Sequence, residues 1–258
     1  MNCCIIGSGN VATHLAGALR NHLTILQIYS RDIDNAALLA SKVGPQCQSI
    51  DSLDNLCPDA DLYLISVADD AILQIIHATS RIRSGIWAHT SGTTPIDVFL
   101  GEKERYGVFY PLQTFSKNKQ VEMAEVPMLI EGSDPAVEQT LVDLAESFSR
   151  IVSRVDSEGR KNVHIAAVFA CNFVNYLWTE ADMLLKQSSL DLRYLMPLLR
   201  ETLDKVAKLS PREAQTGPAR RGDSHIIDSH LAMLGERQRA VYRLLSDNIR
   251  SLYGDKQP

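Results

Sequence analysis

What this chain has little of narrows its class before any motif is read. Cysteine is scarce and unpatterned: Cys3, Cys4, Cys47, Cys57 and Cys171 make an odd count with no C-x-x-C spacing. That argues against a disulfide framework and a zinc site, so no metal is expected and a reducing cytoplasm is the expected compartment. Positive charge is in deficit, with 26 Lys and Arg against 31 Asp and Glu and a formal net charge of −5. Neither nucleic acid nor an anionic membrane is therefore expected as a partner. No uninterrupted apolar run is long enough to span a bilayer, and with a strand expected at once from the first residues, no signal peptide is expected. Internal repeats and low-complexity segments are also missing. What remains is 258 residues, 45% hydrophobic and 22% charged, enough for one large domain or two modest ones with a substantial core.

The N-terminus reads "MNCCIIGSGNVATHLAGALR". Cys3 to Ile6 form an apolar run suited to a strand buried on both faces, and Val11, Leu15, Ala18 and Leu19 recur at helical spacing. Between them Gly7 permits a sharp turn, and Gly9 lets the backbone approach a pyrophosphate. Ala12 fills the third small position, where helix packs on strand. The amide ends of the helix, around Ser8, Asn10 and Val11, would face the anion. A lone G-x-G-x-x-A is weak, so the second strand matters.

Strand and helix patterns continue to alternate. "LTILQIYSR", "DADLYLIS", "GIWAHTSG", "YGVFYPLQTF" and "VPMLIEG" read as strands. "DIDNAALLASKVG", a stretch starting near Asp70, and "DPAVEQTLVDLAESFSRI" read as helices, the last with Pro135 in its first turn. Such alternation predicts an α/β fold, a doubly wound, mostly parallel Rossmann-type sheet. After about Val155 the pattern becomes all helical. From Arg160 to Ser189 no glycine or proline interrupts eight potential turns. "LRYLMPLLRETLDKVAKL", interrupted at Pro197, and "SHIIDSHLAMLGERQRAVYRLLSDNIRSLYG" supply further helices. The expected domains are 1–155, binding a nucleotide, and 156–258, an all-α domain for substrate and dimerisation.

The second strand ends in Ser30 and Arg31. Chains that bind NAD place a carboxylate near this point on the ribose 2′-hydroxyl, whereas an arginine pairs with a 2′-phosphate. NADP(H) is the expected cofactor, with Asp32 on the ribose as the alternative. Val67 and Ala68 end the next parallel strand, where ligands bind in open sheets. His89 ends the strand after it and, with Thr90 and Ser91, is expected either to contact nicotinamide or substrate or to form a structural turn. Asp69 and Asp70 read either as paired carboxylates or, more simply, with Asp70 capping the helix from Ala71.

Lys161, His164, Val168, Asn172 and Asn175 fall on one stripe of a helix whose other faces are apolar. A helix of that kind is expected to be buried, and its polar stripe to need partners or a wet cleft. His225 and His230 diverge by about 140° on a helix, which argues against a metal pair. Asp223 reads as an N-cap, and His230 is expected to be buried beside Ile226, Ile227 and Leu234, with reach into the cleft as the alternative. In "TGPARRGD", Arg220 and Arg221 offer either a pair of cations for an anion or solvated turn residues.

Together "GSGNVATHL", "YSR", "SVADDAI", "HTSG", "YPLQTFS" and "TGPARRGD" resemble an uncharacterised family of Rossmann-like candidate NADP oxidoreductases with a helical domain of unknown function. The resemblance spans nearly the whole chain. More distantly the chain is similar to pyrroline-5-carboxylate reductase, ketopantoate reductase and the β-hydroxyacid dehydrogenases, whose helical domains commonly dimerise. Close relatives often carry His at the position of Tyr110, so a role for that imidazole does not carry over. The distant relatives place a catalytic Lys early in the helix, matched by Lys161, with an Asn a turn later where this chain has Ile165. The resemblance thus implies Lys161 as first catalytic candidate, with His164 and Asn172 as substitutes for the missing Asn. The expected protein is a homodimer, joined through its C-terminal helices, that exchanges hydride between NADPH and a small carbonyl or imine. A non-catalytic NADP-binding sensor or scaffold is the rival, and a methyltransferase a weaker third.

Overall fold

The structure is a computed structural model and describes residues 1–253. It divides into two units, Met1–Val168 and the chain from Phe169 onward. The first holds strands β1 (Asn2–Ile6), β2 (Thr24–Tyr29), β3 (Gln48–Ile50), β4 (Leu62–Ile65), β5 (Ile86–His89), β6 (Arg105–Pro111), β7 (Met128–Gly132) and β8 (Val152–Arg154). They form one sheet in the order β3-β2-β1-β4-β5-β6-β7-β8. Every pairing is parallel except β6 with β7. The expected α/β, mostly parallel Rossmann-type sheet is therefore present. Its order reverses between β1 and β4, the crevice where such sheets take ligands.

Helices α1 (Asn10–Leu19), α2 (Ile33–Val43), α3 (Asp69–Ala78), α4 (Pro135–Glu146) and α5 (Ser157–Ala167) accompany the sheet. The two-residue period of the strands sorts its residues between two faces. Cys3, Ile5, Leu62, Leu64 and Ala88 pack with α1, α2 and α4, whereas Cys4, Ile6, Tyr63, Ile65 and Trp87 pack with α3. Trp87 stacks on Tyr63 at 4.2 Å between ring centroids. The continuous apolar runs of the sequence are thus strands covered on both sides. Helix α3 begins at Asp69 with Ala68 at its N-cap, so Asp70 lies in the first turn and does not cap it.

The helical run expected from Arg160 is not one regular α-helix. Helix α5 ends at Ala167, a π-helical segment covers Val168–Phe173, and α6 (Val174–Lys186) follows. The second unit continues with α7 (Met196–Lys208), α8 (Pro211–Ala214), α9 (Pro218–Arg221), α10 (Ser224–Met233) and α11 (Glu236–Tyr253). Pro197 stands in the first turn of α7 and helps to start it, because a helix start needs no N–H from that residue. His230 is exposed, with its Nδ1 2.7 Å from the Tyr242 hydroxyl, contrary to the expected burial. The arginines of the TGPARRGD stretch are engaged. Arg220 donates to the carbonyls of Glu213 and Gln215, and Arg221 pairs with Asp223 at 2.8 Å. Asp223 occupies the N-cap of α10, but its carboxylate serves Arg221 and not the helix. Among the described residues no helix is long and apolar enough to cross a membrane.

Candidate functional site

The glycine turn sits at the reversal point of the sheet. Gly7 has φ of +128°, and a Cβ there would lie 2.1 Å from the Ser66 carbonyl oxygen, so only glycine fits. A Cβ on Gly9 would meet nothing within 4 Å. Protein packing does not require glycine at that point, and the open space suits the approach of an outside group. Helix α1 begins there with no side-chain cap and no acidic residue in its first turn. Helices α2, α4 and α5, by contrast, are capped by Asp32, Asp134 and Asp156. The free amide end of α1, without competing carboxylates, suits an anion.

Ser8 donates its hydroxyl proton to the Ser30 hydroxyl at 2.9 Å, joining the glycine turn to the end of β2. Arg31 is exposed and takes part in no hydrogen bond or ion pair among the described residues. The Asp32 carboxylate accepts the backbone N–H groups of Asp34 and Asn35 at 3.0 and 3.3 Å. Val11 packs partly against the core, Val67 lies beside Gly7, and Ala68 is exposed at the start of α3. Asn10 is committed elsewhere, since its amide donates to the Phe115 carbonyl at 3.0 Å. His14 stacks on Phe115 and lies 3.0 Å from the Ser116 carbonyl. The "PLQTFS" stretch is thereby held against the start of α1. These residues fit a dinucleotide: the backbone of Gly7, Ser8, Gly9 and Val11 could receive a pyrophosphate, with Ser30 and Arg31 at the end of β2 beside it.

On the other side of the turn, beyond β4, lies His89. The His89 ring does not reach the surface: it is 0% exposed, stacks on Phe99, and accepts the Ser91 N–H at Nδ1. Burial, and after it the Arg160 charge, lower its pKa to about 4. Ser91 Oγ accepts the N–H groups of Thr93 and Thr94, shaping the following loop, and Thr93 donates its hydroxyl to Asp69 at 2.5 Å.

Helix α5 is fixed to this loop by Arg160, which is fully buried. Its guanidinium pairs with Glu131 on β7 and donates to the Thr94 carbonyl at 2.6 Å. Glu131 also accepts the N–H and hydroxyl of Ser157, and Ser157 Oγ accepts the Ile96 N–H. One turn after Arg160, the His164 Nδ1 lies 3.0 Å from the Tyr110 hydroxyl oxygen. Gly92 makes that meeting possible, because a Cβ there would fall 2.6 Å from His164 Nδ1 and 2.9 Å from Tyr110 Cζ.

Of the three catalytic candidates, only His164 enters such a constellation. Lys161 is exposed and takes part in no hydrogen bond or ion pair among the described residues. Asn172 lies in the π-helical segment, which breaks the regular rotation on which the expected stripe depended. The expected burial of the helix is also not met: Ile165 is 44% and Phe169 64% exposed. Arg160, Glu131, Gly92 and Tyr110 were absent from the sequence-based candidates. One available signal was Arg160 at four residues before His164, on the same helix face.

With this geometry in hand, relatives can be compared. A family model described as a domain of unknown function, DUF2520, matches residues 126–249. The crystal structure of a candidate NADP oxidoreductase from Bacteroides fragilis is 39% identical, with a TM-score of 0.90, covering 97% of this chain and 98% of that one. The chain belongs to this DUF2520-bearing family. Two remoter structures share the fold. A Thermotoga maritima protein is 20% identical at a TM-score of 0.72, with 98% of each chain covered. An imine reductase from Myxococcus stipitatus, solved with NADP+, is 14% identical at 0.68, covering 99% of this chain and 93% of that one. No curated protein matches the sequence. The family resemblance is thus sustained over 97% of the chain.

Proposed function

We propose that this DUF2520 family member is an NADP-dependent oxidoreductase that exchanges hydride between NADPH and a small carbonyl or imine. The observation that carries the reading is the division of labour at the end of β2. Asp32, the carboxylate that would select a ribose 2′-hydroxyl, is spent on the cap of α2. Ser30 is tied to the glycine turn, and the neighbouring Arg31 guanidinium is exposed. A cation at that place favours a 2′-phosphate. The names of the Bacteroides protein and of the Myxococcus reductase support the same cofactor class. A bound nicotinamide would supply or accept the hydride. The protein would position the substrate, exclude water and handle a proton, with His164 and the nearby Lys161 as the candidate groups. The protein would work as a two-fold dimer joined through its helices, which leave apolar side chains such as Phe169, Leu203 and Met233 exposed in the single chain.

Calorimetric titration with NADPH and NADH tests the reading. Loss of a charge-assisted hydrogen bond costs about 1.5–3 kcal/mol, so NADPH should bind about tenfold or more tighter. Arg31→Ala should abolish most of that preference while leaving NADH affinity nearly unchanged. Equal affinity of the wild-type protein for both cofactors would overturn the assignment of NADP.

A further inference from the structure

We infer that Tyr110 is the proton donor to the substrate, with His164 as the positioning residue that returns the proton to it. The inference rests on the proposed oxidoreductase reading and assigns a residue that the motifs did not. Three remote segments converge to build this pair. Tyr110 comes from β6 and His164 from α5, while Gly92, in the loop after β5, is bare of the Cβ that would separate them. The sheet order places the ribose-reading residues on the β2 side of the glycine turn and Tyr110 on the β5–β6 side. A dinucleotide crossing the turn therefore extends its nicotinamide half toward β5 and β6.

The His164 Nδ1 at 3.0 Å gives Tyr110 a partner from which a proton can return. The tyrosine ring is partly buried, and burial, with the Asp69 charge second, raises the phenol above its ordinary range, while Arg160 opposes the shift. The charged or titratable groups around it are Asp69 from the first turn of α3 and Arg160 and His164 from α5. Glu131 on β7 is held by Arg160. The phenol therefore stays protonated through neutral pH but is a weaker acid than a free tyrosine, so its donation depends on the prompt return of a proton from His164. His164 is half-buried, so its ring is open to exchange with solvent.

The proton balance is complete with groups already named. In the reducing direction, hydride addition to the carbon of a C=N or C=O bond sends the π pair to nitrogen or oxygen. Tyr110 Oη gives its proton to that atom and becomes a phenolate. His164 passes the proton on Nδ1 to the phenolate while a solvent proton arrives at Nε2, which leaves a neutral imidazole of the other tautomer. The net change is one hydride and one proton added to the double bond. Asp69 stands beside this exchange with its carboxylate held by Thr93.

The test begins with the ligand-free protein. In a nitrogen-detected magnetic resonance spectrum, Tyr110→Phe should displace the His164 Nδ1 signal, and unchanged His164 signals would overturn the pairing. NADPH affinity is measured next: absence of binding to the wild-type protein counts against the proposed function itself. With NADPH bound, reduction of 1-pyrroline and of pyruvate is followed for wild type, Tyr110→Phe and Tyr110→His. Tyr110→Phe should keep NADPH affinity within a few-fold and lower kcat by about 10²-fold, with KM little changed. Tyr110→His should recover part of kcat, and that activity should fall as pH rises through the imidazole range near 6.5, not in the alkaline range of the wild type. A loss in Tyr110→Phe of less than about threefold, or a Tyr110→His profile identical to wild type, would overturn the inference and leave the cofactor reading intact. Wild-type protein that binds NADPH yet reduces neither probe also counts against it, because a preformed donor should act on an activated double bond.

Discussion

The two units of this molecule treat apolar side chains in opposite ways. In the first, nearly every strand residue is covered, and Phe109, Trp87 and Tyr63 are fully buried between sheet and helices. In the second, only Ala219 and Ile227 are buried among the described apolar residues, while Tyr194, Leu203, Met233 and Leu244 are each more than 60% exposed. Both sequences carry regular apolar periodicity, so local pattern does not explain the difference. A parallel sheet is sandwiched by its own crossover helices and closes its core within one chain. A set of amphipathic helices closes a core only when enough apolar faces meet, and here many face outward. The helical unit exposes the kind of surface that a second copy of the chain would cover.

The sharpest way to break that comparison is to weigh the particle. Light scattering at micromolar concentration should give twice the chain mass, and a monomer would end the proposal that the helices pair. Leu203→Glu should then weaken association by about tenfold or more, the scale of losing one buried leucine, while the thermal transition of the first unit stays in place.

A second contrast concerns arginines. Arg160 is buried against Glu131, whereas Arg193 pairs with Asp191 on an exposed turn. Arg160→Met should lower the stability of the first unit by about 3–5 kcal/mol in urea unfolding, because a buried carboxylate loses its partner. Arg193→Ala should leave the unfolding midpoint unchanged. Equal effects would remove Arg160 as the anchor of α5.

The smallest expected effect is a response to acid confined to the first unit. Burial holds His89 neutral, with a pKa of about 4, against about 6.5 in the unfolded chain. Between those values the unfolded state binds the extra proton, so stability falls as pH drops from 6.5 toward 4. The loss should approach about 3 kcal/mol. His89→Gln should flatten that part of the pH–stability curve, and an unchanged slope would assign acid sensitivity to other groups.

Most of the first unit was legible because its signals are local. Cys3 to Ile6, Gly7 and the α1 periodicity lie within twenty residues, and the six longer strands are apolar runs. Strands β3 and β8 were not legible: Gln48–Ile50 and Val152–Arg154 are three residues each, too short to show a period. The helix after Arg160 was read as regular because a π-helical turn has no distinctive composition. For His89 the strand-end position left a cofactor contact and a structural turn both open, and no local pattern showed that its ring turns inward onto Phe99.

By itself the sequence determined the strand–turn–helix cradle, the parallel alternation and the basic end of β2, since each is specified by residues that are neighbours in the chain. It named Tyr110 only as a departure from relatives that carry His there, without showing what it touches. Tertiary structure alone decided that His14 meets Phe115 and Ser116, that Arg160 reaches Glu131, and that Tyr110 meets His164 across 54 positions beside Gly92. Those contacts join segments separated by whole crossovers, and the order of strands in the sheet brings them together. No periodicity along the chain encodes that distance, because side-chain geometry repeats every two or 3.6 residues and pairing across a fold does not.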